Sequence, residues 1–210
     1  MSFIINGKEL ALSLKQEMAA NVATFTEKYG RVPHLVVILV GEDPGSVSYV
    51  TGKAKASEEV GIKNTTIRKD ASISEAELLG IIDELNADES VDGILVQLPL
   101  PKHIDSDKVI AAISAEKDVD GFHPMNVANL WLKQPCTLPC TPKGIIKLLK
   151  RANVEIAGKD VVVIGRSSYH FFFFSLRADS LELSTQTSTK YTPHHSHIKQ
   201  CFHTSTLGMN

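Results

Sequence analysis

The segment His34-Leu35-Val36-Val37-Ile38-Leu39-Val40 constrains this chain more than any other. It is apolar after its first residue, rich in β-branched side chains, and shows no polar alternation. Alternation marks a strand with one wet face; an unbroken run marks a strand covered on both faces, as in a parallel sheet. Gly93-Ile94-Leu95-Val96-Gln97-Leu98 has the same character and is stopped by Pro99 and Pro101. Val161-Val162-Val163-Ile164 repeats it and ends at Gly165. A weaker strand is expected near residues 64–69.

The stretches between these runs have helical period. Over residues 8–29, Leu10, Leu14, Met18, Val22 and Phe25 make one apolar stripe, and Gly30 suits the position after a helix end. A second helix is expected over residues 46–60, ended by Gly61. Ser74 and Glu77 form a capping box before Leu78, Leu79, Ile82 and Leu85. A short helix near 106–113 is followed by an irregular stretch to about residue 139. Thr141 is expected to cap a helix with Pro142 at its first position, carrying Ile145, Ile146, Leu148 and Leu149. Buried strands alternating with helices predict an α/β fold with a parallel sheet and right-handed crossovers.

Composition narrows the function classes. Lys and Arg number 22 against 24 Asp and Glu, a net charge of −2, which argues against broad electrostatic binding to nucleic acid or anionic membrane. No apolar run reaches the roughly 20 residues of a membrane-spanning helix. The N-terminal residues do not read as a secretory leader. Three cysteines do not make a disulfide framework, so a reducing cytoplasm is the expected setting. Composition changes near residue 168. From Tyr169 onward there is no Val, Gly208 is the only Gly, and five of the eight His and five of the eight Phe are gathered there. Residues 169–210 are expected to be a disordered tail.

Ligands of open parallel sheets bind beyond the carboxyl ends of the strands, so the residues after each run matter most. After the first come Ser46, Tyr49 and Lys53. Tyr49 and Lys53 are four apart and share a helix face. They read either as an acid/base pair with a partly desolvated Lys or as a solvated surface pair. Gln97 closes an apolar strand and must find a partner or face a ligand. Asp118, Asp120, Gly121 and His123 crowd one loop that either orients a substrate or simply packs, with no ligand cluster to suggest a metal. Cys136 and Cys140 read as thiols outside any zinc site. Gly165-Arg166-Ser167 resembles the first phosphate-binding turn of a dinucleotide domain, though without the full glycine pattern.

Taken in order, Tyr49-x-x-x-Lys53, Gln97-Leu98-Pro99-Leu100-Pro101, Lys117-Asp118-Val119-Asp120-Gly121-Phe122-His123-Pro124, Pro139-Cys140-Thr141-Pro142-Lys143-Gly144 and Gly165-Arg166-Ser167 closely resemble the methylenetetrahydrofolate dehydrogenase/methenyltetrahydrofolate cyclohydrolase family. The resemblance runs from the N-terminus to about Ser168. It implies a folate-binding catalytic α/β domain over residues 1–138 and, over 139–168, the start of a Rossmann-type NAD(P)-binding domain. It implies oxidation of methylenetetrahydrofolate with NADP, or NAD in some members, then hydrolysis of methenyltetrahydrofolate to formyltetrahydrofolate. Lys53 would be the acid/base of the hydrolysis, with Tyr49 stacking on the folate and Gln97 bonded to Lys53. Asp120 would grip the polar edge of the pterin, and Ser46 would line the same pocket. Gly165, Arg166 and Ser167 would meet the cofactor phosphates, no metal would take part, and a homodimer is expected. Because the tail replaces the rest of the cofactor site, the alternative is an inactive fragment that at most binds folate.

Overall fold

The computed structural model describes residues 4–156. Within them Asn6–Pro124 form one compact unit, and the rest belong to a second. The expected strand at residues 161–164 and the tail at 169–210 lie outside the described residues.

The first unit is built on a sheet of three parallel strands, β1 (His34–Val40), β2 (Lys63–Lys69) and β3 (Gly93–Val96), in the order β2-β1-β3. Helix α1 (Gly7–Tyr29) precedes β1, α2 (Pro44–Glu59) links β1 to β2, and α3 (Glu75–Ala87) links β2 to β3. Helix α4 (Ser106–Ala112) follows. The unbroken apolar run of β1 resolves into two faces. Val36, Ile38 and Val40 pack with Ile94 and Val96 of β3, Leu78 and Ile82 of α3, and Val109 of α4. Val37 and Leu39 pack with Leu95 and with Val50 of α2. The sheet is thus covered by α2 on one face and by α3 and α4 on the other.

That arrangement follows from the winding. The chain steps from β1 to β2, then passes back over β1 to reach β3. Right-handed crossovers in opposite directions put their helices on opposite faces. The reversal opens a crevice beyond the carboxyl ends of β1 and β3, where such sheets take their ligands.

Local signals explain most helix ends. Asn6 caps α1 through its side chain, accepting from Lys8 and Glu9 N–H, and Gly30 closes it at φ 68°. The α1 stripe lies at the surface of its unit. No residue of α1 is fully buried, and Met18 is exposed. Asp43 caps α2 by accepting from Ser46 N at 2.8 Å, which starts the helix at Pro44 rather than at residue 46. Ser74 Oγ accepts from Glu77 N at 3.1 Å, as the capping box requires.

From Pro124 onward two expectations are corrected. The stretch expected to be irregular holds helix α5 (Pro124–Trp131), which Pro124 opens and which buries Asn126 and Leu130. Helix α6 (Cys140–Arg151) begins before Thr141, with Pro139 at the capping position and no side-chain cap. Pro142 therefore lies inside the first turn, where its missing N–H costs no hydrogen bond, and it is the one fully buried residue of α6. In the first unit, β3 ends at Val96, two residues before the expected limit. Gln97 still extends the ladder by one bond, donating its N–H to Ile38 O at 2.9 Å.

Candidate active site at the sheet switch point

The crevice between the ends of β1 and β3 receives side chains from three elements. Gln97 stands where β3 stops. Its backbone is tied to β1, so its side chain leaves the sheet at a fixed place. Lys53 sits in the third turn of α2, the helix that leaves β1. Its Nζ donates to Gln97 Oε1 at 3.2 Å, and the two residues are 44 apart in sequence. The other end of the amide is fixed as well, because Gln97 Nε2 donates to Leu98 O at 2.7 Å. The amide therefore presents its oxygen to the lysine.

Ser46 lies in the first turn of α2 at 4% exposure, and its hydroxyl is 3.4 Å from Leu98 O. It ties the start of α2 to the segment that follows β3. Tyr49 is four residues before Lys53 and is 69% exposed, with no side-chain hydrogen bond among the described residues. A large aromatic left on the surface beside a half-buried lysine offers a stacking face, and its exposure sets it apart from a core residue.

The third contribution comes from the loop after residue 117. Burial pushes the Asp120 carboxyl above the ordinary value of 3.8; the Lys53 charge pulls it down, and neighbouring Asp118 adds to the rise. The Lys53 charge thus reaches the Asp120 carboxyl. A desolvated carboxylate beside a cation is a strong acceptor for paired N–H donors.

Two residues of this loop have roles that spacing alone did not separate. Lys117 Nζ donates to Leu85 O, Asn86 O and Asp88 O at 2.9, 2.9 and 2.7 Å, gathering the open carbonyls at the end of α3. Asp118 turns its carboxylate inward onto backbone N–H groups of its own loop. The signal was present: Asp at the first and Gly at the fourth position of Asp118-Val119-Asp120-Gly121 is a turn signature. His123 joins the loop through its backbone N–H, which donates to Asp118 Oδ2 at 2.8 Å. Among the described residues no group of three or more His, Cys, Asp or Glu could hold a metal ion, and no helix is long and apolar enough to cross a membrane. Gly165, Arg166 and Ser167 lie outside the described residues.

Residues 5–120 match the family model for the tetrahydrofolate dehydrogenase/cyclohydrolase catalytic domain, and residues 139–170 match that for its NAD(P)-binding domain. The chain belongs to the tetrahydrofolate dehydrogenase/cyclohydrolase family. Among curated members of this family, it is 56% identical over 165 residues to the bifunctional protein FolD of Brevibacillus brevis, covering 79% of this chain and 58% of that protein. A solved 5,10-methylenetetrahydrofolate dehydrogenase from the silkworm Bombyx mori superposes with a TM-score of 0.85 at 39% identity, covering 92% of this chain and 70% of the other. The Trypanosoma brucei methylenetetrahydrofolate dehydrogenase-cyclohydrolase, solved with NADP and an inhibitor, gives 0.79 at 33% identity, covering 83% and 61%. The chain spans 58–60% of the length of the first curated relatives it matches.

Proposed function

We propose that this chain acts on tetrahydrofolate derivatives in one-carbon metabolism, hydrolysing methenyltetrahydrofolate to formyltetrahydrofolate and, with NADP or NAD, forming the methenyl compound from methylenetetrahydrofolate. The observation that carries the reading is the Lys53–Gln97 bond at the switch point, with Asp120 in electrostatic contact with Lys53. In this reading residues 1–138 bind folate and residues 139–168 begin the cofactor domain. The pterin lies on Tyr49, its N–H donors meet Asp120, and Ser46 keeps the floor of the pocket in place.

Hydrolysis then needs one mobile proton. Water adds to the bridging carbon of the methenyl cation, and Lys53 Nζ takes the proton the water loses. The same Nζ returns that proton to the ring nitrogen as the nitrogen's bond to the carbon breaks, and the remaining hydroxyl proton leaves to solvent as the formyl carbonyl forms on the other nitrogen. One water is consumed and one proton is released overall. Gln97 holds Nζ in place through both transfers, since its oxygen accepts from the amine and the ammonium alike. The nicotinamide cofactor would supply the hydride chemistry of the other step. The residues expected to hold it, Gly165, Arg166 and Ser167, are outside the described segment, so the roles assigned above concern the hydrolytic half. By the family's habit the enzyme would work in the cytoplasm as a homodimer.

A second reading, a folate-binding fragment without catalysis, is favoured by one observation: neither family model extends past residue 170. Lys53→Met separates the two. Loss of methenyl absorbance and the affinity for a folate analogue are measured for both proteins. The first reading expects hydrolysis by the parent chain, abolished in Lys53→Met with analogue binding retained. Near-normal turnover in Lys53→Met refutes the role of Lys53. A parent chain that binds the analogue but hydrolyses nothing selects the second reading.

A further inference from the structure

The proposed chemistry leaves one buried carboxylate without a part. Asp118 is 4% exposed and lies two residues before Asp120. Its Oδ1 accepts from Asp120 N at 3.2 Å and Gly121 N at 3.0 Å, and its Oδ2 accepts from His123 N at 2.8 Å. A single side chain thus binds three N–H groups within the four residues 120–123 of a loop. Three bonds to one side chain fix the path of the backbone between Asp118 and His123. Gly121 sits in that path at φ 72°, where a side chain would be strained.

Asp118 is itself anchored to rigid elements. It forms a parallel bridge with Ile94 of β3, and Ile94 N donates to Lys117 O at 2.8 Å. Asp118 N donates to Ser114 O at 2.9 Å. Asn86, at the end of α3, accepts from Ser114 N and donates to Ala112 O, both at 2.8 Å. Next to it the Lys117 ammonium grips three carbonyls around the end of α3. The frame therefore runs without a break from the sheet and α3, through Asp118, to the loop that carries Asp120.

We infer that Asp118 is a positioning residue for the folate pocket: by binding the backbone of residues 120–123 it holds the Asp120 carboxylate in the crevice beside Lys53, and so sets affinity for the pterin edge without touching it. This rests on the reading of Asp120 as the acceptor of the pterin donors. Asparagine at 118 keeps the shape but only one acceptor atom. The Oδ1 bonds to Asp120 and Gly121 can survive, while the amide NH2 meets the His123 N–H donor to donor. Alanine keeps none of the three bonds.

A double-mutant cycle tests the inference. Affinity for a folate analogue is measured by calorimetry, with melting curves alongside, for the parent chain, Asp118→Ala, Asp118→Asn, Asp120→Ala and the double variant Asp118→Ala/Asp120→Ala. Asp118→Ala should weaken binding about tenfold or more, as expected when a positioned charged acceptor is lost. Asp118→Asn should fall between it and the parent, and Asp118→Ala should change little in the Asp120→Ala background. If Asp118→Ala does not fold, Asp118→Asn takes its place in the cycle with the same expectation. Additive losses, or parent-like affinity in the Asp118 variants while Asp120→Ala binds weakly, overturn the positioning role alone. Failure of the folded parent to bind the analogue overturns the reading of the pocket and the positioning role with it.

Discussion

Gly93→Ala should damage stability and the pocket together. Gly93 opens β3 close under the side chain of Val119, the residue between Asp118 and Asp120. A Cβ built on Gly93 would lie 2.4 Å from Val119 Cγ1 and 3.5 Å from Leu35 Cδ1. Carbon atoms in contact settle about 3.5–4.0 Å apart, so the first distance is short by more than about 1 Å. Val119 cannot yield by a small χ1 adjustment, because a β-branched side chain has few wells. Its backbone must move, and that backbone leads into the Asp120 loop. Overpacking of this kind costs about 1–3 kcal/mol, a drop of about 5- to 150-fold in the folded-to-unfolded ratio. Urea denaturation of the parent and Gly93→Ala measures the cost, and calorimetry with a folate analogue should show weaker binding in the same variant. Val119→Ala removes the clashing methyl groups. By itself it should cost stability, since Val119 packs against the α2-side core. Combined with Gly93→Ala it should recover part of the loss. Parent-like stability in Gly93→Ala, or a double variant whose losses simply add, would show that this contact does not govern the loop.

Two further outcomes follow from the site. Burial holds the Asp120 carboxyl above 3.8, its ordinary value, so between 3.8 and the raised value the folded chain keeps a proton that the unfolded chain has lost. Stability falls as pH rises through that window. Asp120→Asn should therefore be more stable than the parent at neutral pH, with the gain fading as pH falls toward 3.8, while folate binding weakens; urea midpoints across pH check this, and a less stable variant at neutral pH contradicts it. Tyr49→Ala removes an exposed side chain and should leave the melting temperature unchanged, while binding of a folate analogue weakens by about 0.5–1.5 kcal/mol if the ring stacks on the pterin. Unchanged affinity would remove Tyr49 from the pocket.

The sequence by itself determined the elements and their class. The unbroken run of β1 marked a strand buried on both faces, Ser74 and Glu77 marked the start of α3, and Gly30 marked the end of α1, because caps and periodicity act within a few residues. Helix α5 escaped because its eight residues are too short for a period to stand out, and α6 starts early because Cys140 and Thr141 precede a proline that reads equally well at either of two positions. The site divides in the same way. Tyr49 and Lys53 share a face by spacing alone, but whether Lys53 meets Gln97 depends on which strands are neighbours. Only the order β2-β1-β3 brings α2 and the end of β3 to one crevice, and an all-apolar strand carries no mark of the neighbour it pairs with. The Asp-x-Asp-Gly pattern carries a turn signature, yet that Asp118 is the carboxylate bound to the loop backbone shows only in the tertiary structure, where the same residue bridges to Ile94 of β3. Asp118 turns onto its own loop backbone, while Asp120 feels the Lys53 charge. Such a choice depends on residues far apart in the chain, where local propensity has no reach.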